Sequence, residues 1–170
     1  MKGIIIYKSK YGAAKQYAEW FGEGLDFEVV SLNDMKGKAV KEYDCFVVGS
    51  SIYMGRSKAA KWVRDNWEGI KDKKVFFFSV GDTNPDNEKE VGEIWKVNLP
   101  DEIRGKVMCR HFRGRSSYRG MSATDRLIMN FATMMVKDQK EKERMKGETD
   151  NMSKESALAF VEEIKKDIKE

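Results

Sequence analysis

Short apolar runs alternate with helical patterns along this chain. Gly3-Ile4-Ile5-Ile6-Tyr7 is a continuous apolar run, as expected of a strand covered on both faces. Ala14, Tyr17, Ala18, Phe21 and Leu25 then recur at helical spacing, with Gly22 and Gly24 near the end. Phe27 to Leu32 predicts a second strand and Asp44 to Gly49 a third, followed by Ser50 and Ser51. A helix carrying Ala60, Val63, Trp67 and Ile70 on one face leads to a fourth strand, Lys74 to Val80, ending at Gly81. The polar loop Asp82–Asn87 and a short helix, Glu88–Lys96, precede a fifth strand, Lys106–Phe112. Two helices close the chain, Ser122–Lys142 and Lys154–Ile168, the last with Ala157, Phe160, Val161, Ile164 and Ile168 on one stripe.

Strands alternating with helices imply an α/β fold with a five-stranded parallel sheet and helices on both faces, because right-handed crossovers lay each helix over the sheet. The doubly wound order 2-1-3-4-5 is expected. A length of 170 residues suits a single domain spanning 1–170, with a basic, Met-rich helical insertion at about 113–150. In such sheets ligands sit beyond the carboxyl ends of the strands, at the switch between strands 1 and 3. Three loops therefore matter, those after Tyr7, Gly49 and Val80.

Composition refines this picture. Charged residues reach 35%, with both signs interspersed, so disorder is expected only in the run Lys137–Asp150. The net charge is +4, but Arg104, Lys106, Arg110, Arg113, Arg115 and Arg119 fall in a stretch, Arg104–Thr124, without one acidic residue. That stretch is either a solvated basic loop or a surface for phosphate, a carboxylated substrate or an anionic surface. Cys45 and Cys109 lie in apolar runs as free thiols, not in a disulfide framework. The start of the chain runs directly into a strand, and no stretch approaches the roughly 20 apolar residues of a membrane span. A cytoplasmic location is expected. Leu127–Val136 is apolar almost all round, which fits a core, a dimer contact or a helix laid on a membrane beside lysines.

The first loop reads Lys8-Ser9-Lys10-Tyr11-Gly12-Ala13-Ala14-Lys15 and enters a helix. Ser9 offers a hydroxyl, Gly12 permits a tight turn, and Ala13 and Ala14 let an anion approach backbone N–H groups at the positive end of the helix dipole. An ordinary helix entry remains the plain alternative. No GxxxxGK[ST] string occurs, and of GxGxxG only Gly12 is present. Lys8 and Lys10 give the wrong charge for a cation, so no metal is expected. A monophosphate held without a metal fits best.

Ser9-Lys10-Tyr11-Gly12-Ala13-Ala14 resembles the FMN-phosphate loop of flavodoxins, with Tyr11 and Ala14 where hydroxyl residues are usual. Phosphate binding then leans on Ser9, the backbone and Lys10. Val48-Gly49-Ser50-Ser51-Ile52-Tyr53-Met54-Gly55-Arg56 is similar to the second flavin loop of the branch that includes the menaquinone-dependent protoporphyrinogen dehydrogenases. Tyr118, Asp125, Arg126, Met129 and Lys146-Gly147-Glu148-Thr149-Asp150 also resemble that branch. The resemblance implies a flavodoxin-like fold with FMN as cofactor. Ser51, Ile52, Tyr53, Met54 and Gly55 would border the isoalloxazine, and Ser79, Val80, Gly81 and Asp82, in the loop to Asn84, would approach its pyrimidine end. No aromatic lies between Val80 and Glu93 to cover the second ring face, which suits a stacking substrate or quinone.

On this basis the chain is expected to be an FMN-dependent oxidoreductase resembling protoporphyrinogen IX dehydrogenase. It would take electrons from a planar substrate and pass them to a quinone. Arginines of the basic stretch would hold the substrate's carboxylates, and no side chain is assigned a catalytic role; the lone His111 reads as structural or solvated. A flavodoxin-type electron carrier is the alternative, although carriers usually show an acidic face. A redox protein partner, a homodimer and a peripheral membrane contact are the associations considered; nucleic acid is not expected, for want of a recognised motif.

Overall fold

The computed structural model describes residues 1–35 and 38–169; Lys36, Gly37 and Glu170 of the expected 1–170 span lie outside it. The elements in chain order are β1 (Gly3–Lys8), α1 (Ala13–Leu25), β2 (Glu28–Ser31), β3 (Cys45–Tyr53), β4 (Arg56–Ser57), α2 (Lys58–Ile70), β5 (Lys74–Gly81), α3 (Glu88–Asn98), α4 (Asp101–Arg104), β6 (Met108–Arg113), β7 (Arg115–Ser117), α5 (Ala123–Met135), α6 (Gln139–Lys146), β8 (Glu148–Asp150) and α7 (Lys154–Lys169). Two short 3₁₀ turns, Leu32–Met35 and Val40–Glu42, link β2 to β3.

The five expected strands pair in parallel as β2-β1-β3-β5-β6, which is the order 2-1-3-4-5 once the two-residue β4 is set aside. Two features were not expected: β4 folds back antiparallel on β3, and β7 pairs antiparallel with β8 in a separate small sheet.

Alternation along each strand feeds two cores. Ile4, Ile6, Phe46, Val48 and Phe77 face one side and pack under α2, where Ala60, Val63, Trp67 and Ile70 are buried. Ile5, Cys45, Val47, Phe76 and Phe78 face the other, under α1 and α7. Phe21 centres the second core, with Phe78 edge-on at 5.1 Å and Phe160 at 5.5 Å between ring centroids. Burial on both faces is why these strands read as unbroken apolar runs. Burial also pushes the Cys45 and Cys109 thiols up to about 12, so both stay protonated and behave as small apolar side chains.

The segment between β6 and α7 departs most from expectation. The helix expected over Ser122–Lys142 is two helices. Val136 is extended, and the Asp138 carboxylate restarts the chain by accepting from the Lys140 N–H at 3.0 Å. The run Lys137–Asp150, expected to be disordered, instead holds α6 and β8. Arg144 pairs with Glu141 at 2.8 Å and with Asp82 at 3.1 Å, and Ser116 meets Thr149 at 2.9 Å across the β7–β8 pairing. The insertion thus leaves and re-enters the domain through one closed stalk.

His111 lies on β6 beside β5, 2% exposed, with Nδ1 2.7 Å from the Ser79 hydroxyl. Burial lowers its pKa from 6.5 to about 4, opposed in part by the backbone of Thr83. Because the folded value lies below the unfolded one, the stabilisation is complete above pH 6.5 and is lost as pH falls toward 4. The loss is at most about 3 kcal/mol. Denaturant titrations of the wild type between those limits are expected to show this slope, and His111→Asn is expected to flatten it.

Candidate functional site

The carboxyl ends of β1, β3 and β5 bring the three loops together. Tyr11 and Ala13 of the first, Ser51 and Ile52 of the second, and Val80, Gly81 and Asp82 of the third line one cleft of about 170 Å³. Gly114, Arg115 and Ser116 close its fourth side. Tyr11, Arg115 and Ser116 also line an adjoining cavity of about 510 Å³ under the β7–β8 stalk. The two spaces together match the volume of small-molecule sites.

In the first loop Gly12 takes φ +87°, a conformation open to glycine and costly for other residues. Its N–H donates to the Ser9 hydroxyl at 3.0 Å. Among the described helices of eight or more residues, only α1 starts without a side-chain hydrogen bond. Ser57, Asn87, Ser122 and Asp138 cap α2, α3, α5 and α6, and the Ser153 hydroxyl accepts from the Ser156 N–H at α7. The first-turn N–H groups of α1 are therefore left facing the loop, with the positive end of the dipole behind them. Ala13 and Ala14 point into the core, at 5% and 0% exposure, which explains why a methyl stands at Ala14.

A cation completes this end, and it is not Lys10. A Cβ built on Gly12 would meet the Arg115 guanidinium at 2.9 Å, so the side chain from β7 lies directly against the turn. Arg115 makes no ion pair among the described residues. Sequence reasoning grouped Arg115 with the basic stretch but did not join it to this loop. Nothing in the chain pattern announces the β7–β8 stalk, whose Arg115–Asp150 register places it.

Lys10, Tyr11 and Tyr53 converge elsewhere. Asp125, in the first turn of α5 and only 6% exposed, receives the Lys10 ammonium at 2.5 Å, the Tyr53 hydroxyl at 2.8 Å and the Tyr11 hydroxyl. Lys10 also stands 4.6 Å above the centroid of the Tyr53 ring. The Lys10 ammonium, with the two phenols, holds the Asp125 carboxyl down at about 2. Tyr11 is thus the aromatic that lines the cleft, whereas Tyr53, held beside it on Asp125, is not among the lining residues and the third loop supplies none.

The second loop is shorter than expected. Ser51, Ile52 and Tyr53 belong to β3, because Ile52 and Tyr53 pair back onto Ser57 and Arg56 through the two-residue turn Met54-Gly55. Met54 and Gly55 both have positive φ, 49° and 75°, as in the primed turns that suit a hairpin's twist. Asn98 fixes this turn, accepting from Ser57 N–H at 2.7 Å and donating to the Gly55 carbonyl at 2.9 Å. Its position at the end of α3 gives no sequence signal for that role. Ser50 is buried against Ser57 at 2.8 Å and supports the start of α2.

In the third loop Ser79 is fully buried with its hydroxyl 2.7 Å from His111 Nδ1, so Val80, Gly81 and Asp82 face the cleft without it. The basic stretch does not converge on one ligand: Arg110 pairs with Glu163 of α7, and Arg113 approaches Asp82 at 3.9 Å.

A family of proteins described as the flavodoxin domain matches residues 4–143 of this chain. No curated protein matches it significantly. Among solved structures, a flavodoxin from the domain Archaea is 16% identical, covering 97% of this chain and 99% of that one, at a TM-score of 0.45. A Bacteroides uniformis protein described as a flavoprotein is 16% identical, covering 68% and 92%, at 0.41. A flavodoxin from Pseudomonas aeruginosa is 18% identical, covering 65% and 83%, at 0.37.

Replacing Asp125 with Asn leaves Lys10, Tyr11 and Tyr53 without their shared acceptor charge. Chemical denaturation at pH 7 is expected to show a loss of about 1–3 kcal/mol. The folded pKa of about 2 lies below the ordinary 3.8, so the wild type's advantage is full above pH 4 and shrinks as pH falls toward 2.

Proposed function

Because the chain belongs to the flavodoxin-domain family, we propose that it binds FMN in the cleft beyond β1, β3 and β5 and works as an FMN-dependent oxidoreductase. The observation that carries this reading is the phosphate end of the cleft. An α1 start without a side-chain cap, a left-handed glycine and a guanidinium laid against that glycine support a monophosphate at this end. When bound, the flavin supplies the electron acceptance and release, and the protein supplies position and electrostatics. The α1 N–H groups and Arg115 hold the phosphate. Ser51, Ile52, Val80 and Gly81 border the ring, and Tyr11 offers it an aromatic side.

The finer reading follows the resemblance to quinone-linked protoporphyrinogen dehydrogenases: a planar donor is oxidised at the flavin and a quinone takes the electrons. The cationic insertion supports it over a carrier, since steering toward basic redox partners needs an acidic face. Arg110 and Arg113 are each committed to a carboxylate, so they are not offered as anchors for the donor's carboxylates.

The purified protein is expected to be yellow and to release FMN on denaturation. Arg115→Gln is expected to weaken FMN about tenfold or more, the scale of losing one charge-assisted contact, while riboflavin, which lacks the phosphate, binds both proteins alike. Fluorescence titration with both flavins reads this difference. Reduction of the bound flavin by protoporphyrinogen and reoxidation by a menaquinone analogue would establish the enzyme. FMN binding without either turnover would leave the carrier.

A further inference from the structure

Helix α5 is turned inside out. Asp125 and Thr133 are its buried residues, whereas Leu127, Phe131, Met134 and Met135 are each about 70–80% exposed. At 100° per residue these four, with the part-exposed Ile128, span one arc of about 120° on the solvent side, shared only with Thr124 in the first turn. The 13 residues of α5 are about 20 Å long, too short to cross a bilayer but long enough to lie in its surface. No helix among the described residues is long and apolar enough to cross a membrane.

The charges around the arc indicate what covers it. From α5 through α6 the chain carries six cations, Arg126, Lys137, Lys140, Lys142, Arg144 and Lys146, against four carboxylates. Those carboxylates are engaged: Asp125 with Lys10, Asp138 with the α6 start, Glu141 with Arg144, and Glu143 with Gln139. Among the described residues, Arg126, Lys137, Lys140 and Lys142 have no ion-pair partner, and Arg119 precedes them on the same segment.

We propose that α5 docks on an anionic lipid surface, its Leu127–Phe131–Met134–Met135 face entering the headgroup boundary and the surrounding cations meeting lipid phosphates. An apolar arc with basic flanks is the pattern of helices that lie in the membrane interface. A second copy of this chain fits less well. It would set the same cations opposite one another, and five side chains of one helix fall short of the 20–30 residues a side that a stable interface uses. The docking does not rest on the flavin reading: the arc and its cations stand whether or not FMN is bound. It would place the cleft next to the membrane, because the first turn of α5 is the part that grips Tyr11 and Tyr53.

Flotation of the full chain with vesicles tests this. Binding is expected to phosphatidylcholine–phosphatidylglycerol vesicles, to fall steeply with salt, and to be weak on phosphatidylcholine alone. Leu127→Ser with Phe131→Ser is expected to reduce binding at least about tenfold, as is Arg126→Gln with Lys137→Gln and Lys140→Gln. These side chains are exposed, so circular dichroism should be unchanged. As an independent reading, Phe131→Trp is expected to give a blue-shifted emission on the anionic vesicles only. Failure to bind anionic vesicles, or binding indifferent to both sets of substitutions, overturns the proposal. So does a wild-type dimer that Leu127→Ser with Phe131→Ser converts to monomer, since that assigns the face to a second copy.

Discussion

Asp125 gathers an ammonium and two phenols on a carboxylate that is 6% exposed. A carboxylate so covered is costly unless its lone pairs are filled, and here the partners come from the loops after β1 and at the end of β3. Lys10 and Tyr11 belong to the first loop and Tyr53 to the second, so one carboxylate of the insertion fastens both, while Arg144 reaches Asp82 of the third. That fastening draws the loop's own cation, Lys10, toward Asp125 and away from the α1 start. Arg115, brought in by the stalk, stands there instead. The same contact orients α5. Once Asp125 points inward, helical periodicity carries Leu127, Phe131, Met134 and Met135 outward.

The scaffold beneath this needs no such device. β1, β3 and β5 are covered on both faces, and their register sets Tyr7 beside Gly49 and Gly49 beside Phe78. The strands therefore end at one level, and the three loops rise from one edge. Gly49 is required for this packing, since a Cβ there would lie 2.3 Å from the Phe78 ring. Ser79 and His111 form a buried polar contact across β5 and β6 through the hydroxyl and Nδ1.

What was legible in the sequence follows from these causes. A strand buried twice leaves an unbroken apolar run, and an amphipathic helix leaves a stripe; Phe46, Val63 and Phe160 were readable as core on that ground alone. Gly12 was readable because a turn into a helix needs it. The end of β3 was not, because Met54 occupies a positive-φ position that carries no turn signature. The pairing of Lys10 with Asp125 spans too much chain for any local pattern to reveal. The break between α5 and α6 depends on Asp138 acting as a cap inside a stretch whose composition favours helix throughout. Arg115 could be seen as a charge, but its place against Gly12 depends on the pairing of β7 with β8.

The stalk then links the two ends of the proposed function. Arg115 pairs in register with Asp150, and β8 runs on through Asn151, whose N–H donates to the Gly114 carbonyl at 3.2 Å, to Ser153, held at 3.0 Å by the Tyr17 hydroxyl. Tyr17 in turn lies in the core under α1. The guanidinium that lies against Gly12 is thus anchored to the core of the domain, not to the helices beyond it. The apolar helix is anchored separately, through Asp125. Arg115 and Asp125 are therefore different contacts of one insertion, although Lys10 and Tyr11 join the second of them to the same loop that Arg115 approaches. Lys10 alone could not serve both ends. The Lys10 charge is offset by the covered carboxylate beside it, whereas the planar guanidinium of Arg115, without an ion pair among the described residues, can present two donors to an anion's oxygens.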